Sequence, residues 1–262
     1  MPSDPNAKTR VRIAFVSLFV VFSAGAYFVG DLGKLQENIS ARESHTALQG
    51  ITDPGQIEEA LRQYPSNKFL QMLAMATRAA DETSAGTEKV LNEVEPPAIS
   101  RNINLGAASR ADLEALRRDL KTAQANATAF MPRVSALLKT ERDNVKKYAL
   151  TLQVKQDVVA GLLDNIDKRH AEITAYTSKI LPARADYYRA YENYVAVLAG
   201  EFGTYKVVDG QFIFPFQRTV DRYNVAANAM TAASKHVAET EVEGKNLRKS
   251  GQQRWMQFVN GL

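Results

Sequence analysis

Histidines and motif glycines are the first places to look for chemistry in this sequence. His45, His170 and His236 are too far apart along the chain to form a local pair of metal ligands. We interpret them as histidines on exposed helix faces. The sequence contains no Gly-rich phosphate loop, Gly-x-Ser-x-Gly elbow or His-Glu-x-x-His motif. It therefore predicts no catalytic, cofactor-binding or metal site, and we interpret the chain as a protein that is not an enzyme.

A dense group of tyrosines is the first candidate for ligand binding. Tyr187, Tyr191 and Tyr194 share one face of a predicted helix, and Arg184 precedes them. Stacking and guanidinium contacts from this set would suit a planar or acidic ligand. Core residues occupy the same kind of face, so burial in a core is the alternative interpretation.

The C-terminal segment is the second candidate, because residues 245–262 carry four cations, no acid and the only tryptophan of the chain. Basic amphipathic ends bind anionic membranes or acidic partners, and a solvated terminus is the alternative. The residues expected to contact a partner are Lys245, Arg248, Lys249, Arg254, Trp255 and Phe258.

Charge and composition exclude several classes of protein. The net charge is +4, but residues 1–12 carry +2 and residues 245–262 carry +4, so the region between them is at −2. A nucleic-acid surface needs clustered cations, which this region lacks. The absence of cysteine excludes disulfides, thiolate zinc sites and cysteine nucleophiles. A hydrophobic content of 45% is typical of a folded chain.

An uncharged stretch at residues 13–30 predicts a transmembrane anchor, since eighteen helical residues span about 27 Å. The cations Lys8, Arg10 and Arg12 precede it, which favours a cytoplasmic N-terminus (residues 1–12) by the positive-inside rule. The apolar residues of the anchor are Ile13, Phe15, Val16, Leu18, Phe19, Val20, Val21, Phe22, Tyr27, Phe28 and Val29. The predicted localisation is the bacterial inner membrane, single-pass, with the bulk of the chain periplasmic.

A cleaved signal peptide is the alternative interpretation of the same residues. Ala24-Gly25-Ala26 forms an A-x-A site, and cleavage after Ala26 would release a secreted periplasmic protein that begins at Tyr27.

Residues 31–98 predict a stalk followed by a module of short helices. Asp53-Pro54 has the chemistry of a helix start, and Pro65 ends that helix. We expect a second helix after Ser66 and a third, small one between Thr87 and Val94.

Residues 109–243 predict a bundle of long helices that begins with a capping box formed by Ser109 and Asp112. Pro132 and Pro182 predict kinks or breaks, and Gly161 predicts the turn between the two long helices. The first apolar seam comprises Leu113, Leu116, Leu120, Ala123, Ala127, Phe130, Val134 and Leu137, and it resumes after Glu141 with Val145, Tyr148 and Leu152. The second comprises Val159, Leu162, Ile166, Ile173, Tyr176 and Ile180, with Arg169 at one apolar position.

Residues 204–214 predict a β-hairpin. Two β-prone runs are joined by Asp209-Gly210, a pair that favours a type I′ turn. We expect Phe212 and Phe214 to hold the hairpin against the end of the bundle. A last long helix follows, and residues 244–262 form the basic amphipathic tail.

The run from Val207 to Pro215, followed by Tyr223-Asn224, resembles a family of uncharacterised helical bacterial envelope lipoproteins with a late β-hairpin. The resemblance covers about the last quarter of the chain, and this sequence lacks the lipidated cysteine of that family. It implies an envelope location and no known activity.

The predicted fold class is mainly α: a single N-terminal transmembrane helix, an elongated helical bundle or coiled-coil-like domain, and one small β-hairpin. The predicted function is that of a membrane-anchored periplasmic scaffold or adaptor, which binds another envelope protein or itself and no nucleic acid. The alternative is a sensor-like periplasmic helical bundle that binds a ligand. Heptad seams serve both bundles and oligomers, so they do not decide the oligomeric state.

Overall fold

The computed structural model of the protein describes residues 56–94, 99 and 103–261. Within these ranges the chain is mainly helical, with five α-helices and one antiparallel pair of strands, which confirms the predicted helical fold with one small hairpin. In chain order the elements are α1 (Ile57–Gln63), α2 (Lys68–Val94), α3 (Arg110–Thr151), α4 (Gln156–Gly200), β1 (Lys206–Val208), β2 (Gln211–Ile213) and α5 (Gln217–Gly261).

None of the helices in the described ranges combines the length and the apolar character needed to cross a bilayer. This finding contradicts the predicted localisation as a single-pass protein of the bacterial inner membrane, so that prediction was wrong. The predicted anchor at 13–30, the cations before it and the alternative cleavage site after Ala26 lie outside the described residues.

The described residues divide into two compact units. The hairpin unit comprises the described residues within 90–131 and 177–242, including both strands. The short-helix unit comprises those within 56–89, 132–176 and 243–261, including α1.

The core of the short-helix unit is built from four helices. α1 and α2 contribute Ile57 and Leu70, and the facing parts of α3 and α4 contribute Val145 and Leu162, all of them buried. Apolar residues at spacings of three and four place these side chains on one face of each helix. The predicted seam residues of α4 from Val159 to Ile173 are therefore buried as expected.

The capping box that starts α3 is confirmed. The Ser109 backbone N–H donates to Asp112 Oδ2 at 2.9 Å, and the Asp112 N–H donates to Ser109 Oγ at 3.2 Å. The seam residues from Leu113 to Phe130 that follow in α3 are buried, as predicted, whereas Leu137 is half-buried.

The structure corrects two predicted helix boundaries. The small helix expected between Thr87 and Val94 is the last part of α2, which runs through Gly86 without a break. A Cβ at Gly86 would lie only 3.0 Å from Leu137 Cδ2, so this glycine allows a close approach of helices within the short-helix unit rather than ending one.

The turn between the long helices lies at residues 152–155, not at Gly161, which is inside α4. Gln153 supplies the left-handed conformation, with a φ of 51°, that a glycine usually provides. The turn allows Ala149 of α3 and Val158 of α4 to enter the same core. Pro132 and Pro182 produce no break, since α3 and α4 each continue through their proline.

The hairpin forms where it was predicted. Val208 pairs with Gln211, and Asp209 and Gly210 between them have φ angles of 51° and 76°, both positive as a type I′ turn requires. β2 ends before Pro215, and α5 then continues without a break from Gln217 through the predicted tail.

Candidate functional site

A buried cluster of charged side chains lies inside the short-helix unit. α3 supplies Glu141 and α4 supplies Arg169, each at the position where a polar residue interrupts an apolar seam. Arg169 Nη2 donates to Glu141 Oε1, and the two side chains are 2% and 1% exposed. Burying such a pair has a high desolvation cost, which close contact must offset.

His170 is a third member of this cluster, and its side chain is only 12% exposed, so the prediction of an exposed histidine was wrong for this residue. Its Nε2 atom lies 3.4 Å from Glu141 Oε2, an ion-pair distance when the imidazole is protonated. Burial acts most strongly on Glu141 and raises its pKa, but the hydrogen bond of His170 and the charge of Arg169 outweigh burial and hold the pKa below its ordinary value. The carboxylate is therefore ionised at neutral pH although it is buried.

A small cavity of about 10 Å³ adjoins the cluster, with room for about one water molecule. Its polar lining consists of Arg169 from α4 and the hydroxyl-bearing Thr83, Ser84 and Thr87 from α2. Apolar side chains, among them Val134 and Leu138 of α3, complete the wall. All of these residues belong to the short-helix unit.

A second group of interest is the aromatic cluster of the hairpin unit. Tyr223 of α5 lies at its centre, with ring centroids 5.8 Å from Phe212 and 5.1 Å from Phe214. Tyr205 lies 5.1 Å from Phe212 in an edge-on arrangement. Aromatic pairs at these distances attract one another, so the hairpin is fixed to α5, as the sequence predicted for Phe212 and Phe214.

The predicted tyrosine set takes different positions within the hairpin unit. Tyr194 is buried, and its hydroxyl lies 3.0 Å from that of Tyr223. Tyr187 and Tyr191 are half-buried, with ring centroids 6.0 Å apart, and Tyr188 is fully buried beside Tyr187. Burial raises the pKa of Tyr194 well above its ordinary value, and the hydrogen bond with Tyr223 acts in the same direction.

Arg184, which the sequence placed with the tyrosines, is buried and donates from Nη2 to Glu241 Oε1 of α5 at 2.7 Å. The guanidinium of Arg184 therefore has a carboxylate partner inside the unit. Its predicted role in contacting an acidic ligand stays a prediction.

The predicted C-terminal contact residues lie on α5. Lys245 and Lys249 are exposed there, and the same helix contains Arg248, Arg254, Trp255 and Phe258.

In the part of the chain that the structure describes, no three His, Asp or Glu side chains lie close enough together to hold a metal ion.

Sequence reasoning did not identify the pairing of Glu141 with Arg169, or the contact of His170 with Glu141. A signal for the pairing was present, since each of the two long seams is interrupted once by a charged residue, and the two residues have opposite charge. Opposite charges at interrupted seams of adjacent antiparallel helices are expected to pair, because an isolated buried charge is too costly.

Comparison of the chain with protein-family models, curated proteins and solved structures finds no match. The resemblance to helical envelope lipoproteins stays a prediction.

Proposed function

We propose that this protein is a helical scaffold that binds another protein through the outer face of its hairpin. Side chains alternate along a strand and paired residues share a face, so the outer face consists of Lys206, Val208, Gln211 and Ile213. All four are exposed, whereas Phe212 on the opposite face packs on Tyr223.

The observation that carries the proposal is the apolar surface of this outer face. Val208 and Ile213 are 52% and 50% exposed, and Phe216, three residues after β2, is 65% exposed. Exposed apolar groups on one small element are typical of a protein-binding surface.

The hairpin is also supported well enough to act as a binding element. An isolated hairpin is marginally stable in water, but here the aromatic cluster holds one face. A Cβ on Gly106 would lie 3.1 Å from Val207, so the loop before α3 packs closely beside β1. A supported element loses little conformational entropy when it binds.

The partner that this surface suits is an extended segment of another protein. Each strand pairs only with the other one among the described residues, so backbone donors and acceptors remain at the hairpin edges. A partner strand would pair with those groups and cover Val208 and Ile213. The proposal assigns no catalytic step to the chain.

In-cell photo-crosslinking from position 211 tests this proposal. A crosslinking amino acid replaces Gln211 on the outer face, and a second one replaces the exposed Lys147 of α3 as a control. We expect a different protein to crosslink at position 211, and its yield to fall at least about tenfold in a Val208→Lys, Ile213→Lys variant.

The matched control is Leu150→Lys, because Leu150 is 60% exposed but lies outside the hairpin. This variant should crosslink like the parent chain. Recovery of the chain alone from position 211 would indicate self-association and would exclude a partner protein at this face.

A further inference from the structure

The part of α5 that belongs to the hairpin unit buries only one side. Ala226 and Val237 are among the buried residues there, and the helical period places them on the same side of α5. Val225 lies on the opposite, outward side and is 71% exposed, more than any other large apolar side chain that the structure describes. The outward side therefore has apolar surface that packing within the unit does not use.

A regular stripe runs through Val225 along this outward side. Six residues recur at alternating spacings of three and four, the period that keeps side chains on one face of a helix that pairs with another. All six are exposed. We call this stripe the outer seam, and it comprises Arg222, Val225, Ala229, Ala232, His236 and Glu239.

The charges of the outer seam are complementary when two copies of α5 run antiparallel. Around a two-fold axis between Met230 and Thr231, Arg222 of one copy lies opposite Glu239 of the other, and the same pair forms again at the other end. A parallel pair would instead place Arg222 beside Arg222 and Glu239 beside Glu239, which is repulsive. The charge order therefore favours the antiparallel arrangement.

Both charged residues are accessible to a second copy. The side chains of Arg222 and Glu239 are 58% and 62% exposed. Their ion pairs within the chain are long, 3.6 Å from Arg222 to Glu201 and 3.8 Å from Glu239 to Lys235. Such exposed pairs add little stability, so they compete weakly with contacts to a second copy.

Small side chains at the middle of the seam allow two helices to approach closely. In the antiparallel arrangement Ala229 lies opposite Ala232, and Val225 lies opposite His236. The distance between packed helix axes depends on the side chains at the contact, and alanine permits a short one. A second copy would thereby cover the exposed Val225.

We infer that the outer seam is a homodimer interface, in which α5 of one copy packs antiparallel against α5 of a second copy. The inference goes beyond the partner protein proposed for the hairpin and uses different residues, so each can fail without the other. Residues 222–239 rise about 26 Å, which is short for a pair of helices. We therefore expect a dimer that dissociates on dilution.

Disulfide formation tests the arrangement, because the natural chain contains no cysteine. An equimolar mixture of full-length Val225→Cys and His236→Cys chains should form a disulfide dimer on oxidation. Each variant alone should form at least about tenfold less, because two copies of one position would lie about 16 Å apart along the axis, whereas a disulfide needs Cα atoms within about 7 Å.

The matched control is a mixture of Asn224→Cys and Ala238→Cys, which are exposed at nearly the same heights but on another side of α5. This mixture should remain largely reduced. Equal yields from the two mixtures would indicate random collision, and efficient dimerisation of Val225→Cys alone would indicate a parallel pair. Either result would overturn the inference.

A charge exchange tests the interface without cysteine. In sedimentation equilibrium of the full chain, Arg222→Glu and Glu239→Arg should each weaken the dimer about tenfold, since each creates two like-charge contacts. The double variant restores opposite charges and should dimerise like the parent chain. A folding defect of either single variant cannot produce that recovery. A monomeric parent chain, or a double variant as weak as the single ones, would overturn the inference.

Discussion

Each unit of this protein buries one arginine of α4 against a glutamate of another helix, but the two pairs differ in their surroundings. In the hairpin unit, Arg184 and Glu241 have side chains 3% and 7% exposed. In the short-helix unit, Arg169 and Glu141 are 2% and 1% exposed, and His170 and a cavity adjoin them. The second pair is therefore part of a larger polar group, with a third charged partner available to the carboxylate.

This difference indicates different roles for the two pairs. A buried ion pair adds little stability compared with apolar residues of similar volume, because desolvation offsets the attraction. The pair of Arg184 and Glu241 links α4 to α5. The group around Arg169 links α3 to α4, includes His170 and in addition borders a small cavity.

The largest expected effect comes from removing one partner of the more buried pair. Glu141→Ala leaves the charge of Arg169 buried without its carboxylate, so the free energy of unfolding of the short-helix unit should fall by about 3–5 kcal/mol. Glu241→Ala should have a smaller effect on the hairpin unit, because Glu241 is more exposed. Hydrogen exchange measured by mass spectrometry separates the two units, with peptides from residues 68–80 and 188–199 as reporters.

The control for this comparison is the Arg169→Met, Glu141→Leu variant, in which neither charge remains. Its stability should lie within about 1 kcal/mol of the parent chain or above it. If Glu141→Ala and the double variant were equally unstable, lost packing rather than an uncompensated charge would be the cause, and the comparison of the two pairs would have no electrostatic basis.

A second prediction concerns pH. The pKa of Glu141 is held below 4.5 in the folded chain, so below that pH the unfolded chain binds a proton more readily than the folded one. The stability contributed by ionised Glu141 is complete above the unfolded pKa and is lost as pH falls through the folded pKa. Urea unfolding should therefore find a large stability difference between the parent chain and Glu141→Gln at about pH 7 that shrinks below about pH 4.

Glu241→Gln is the companion variant for the hairpin unit, measured over the same pH range by hydrogen exchange. A stability difference for Glu141→Gln that did not change with pH would mean that folding leaves the pKa of Glu141 unchanged. A parent chain that gained stability relative to Glu141→Gln as pH fell would mean that the folded carboxyl group is protonated at neutral pH, and the assignment of Glu141 as the anionic centre of its group would then be wrong.

The comparison also shows which features a single sequence can provide. The hairpin turn, the capping box and the apolar seams were predictable, because each depends on residues close together in the chain. Asp209-Gly210 has the backbone preference that its turn needs, and Ser109 and Asp112 have the required spacing of three.

Features that depend on tertiary contact were not predictable in the same way. The turn near Gln153 uses a left-handed residue that is not glycine, so no local signal marks it, and burial of Ala149 and Val158 in one core determines its place. The helix expected to begin at Thr87 is part of α2, because Gly86 continues that helix and packs close to Leu137.

The candidate site was predictable only in part. Glu141 and Arg169 were visible as interruptions of the two seams, but the seams do not specify which residues face one another. The cavity beside them depends on α2, whose relation to both long helices is set by packing rather than by any local pattern.

The smallest expected effect lies in the hairpin unit, at the hydrogen bond between the hydroxyls of Tyr194 and Tyr223. Tyr194→Phe should lower the free energy of unfolding of that unit by about 1 kcal/mol, because the hydroxyl of Tyr223 loses a partner in a partly buried site. Tyr194→Phe combined with Tyr223→Phe should cost less than the sum of the two single changes, because neither ring then retains an unpaired hydroxyl. Hydrogen exchange of residues 188–199 reports the loss, and exchange of residues 68–80 should stay unchanged. Additive single effects would mean that the hydroxyls do not interact. A matching loss at residues 68–80 would mean that the two units do not respond separately. The comparison of their two buried pairs depends on separate responses.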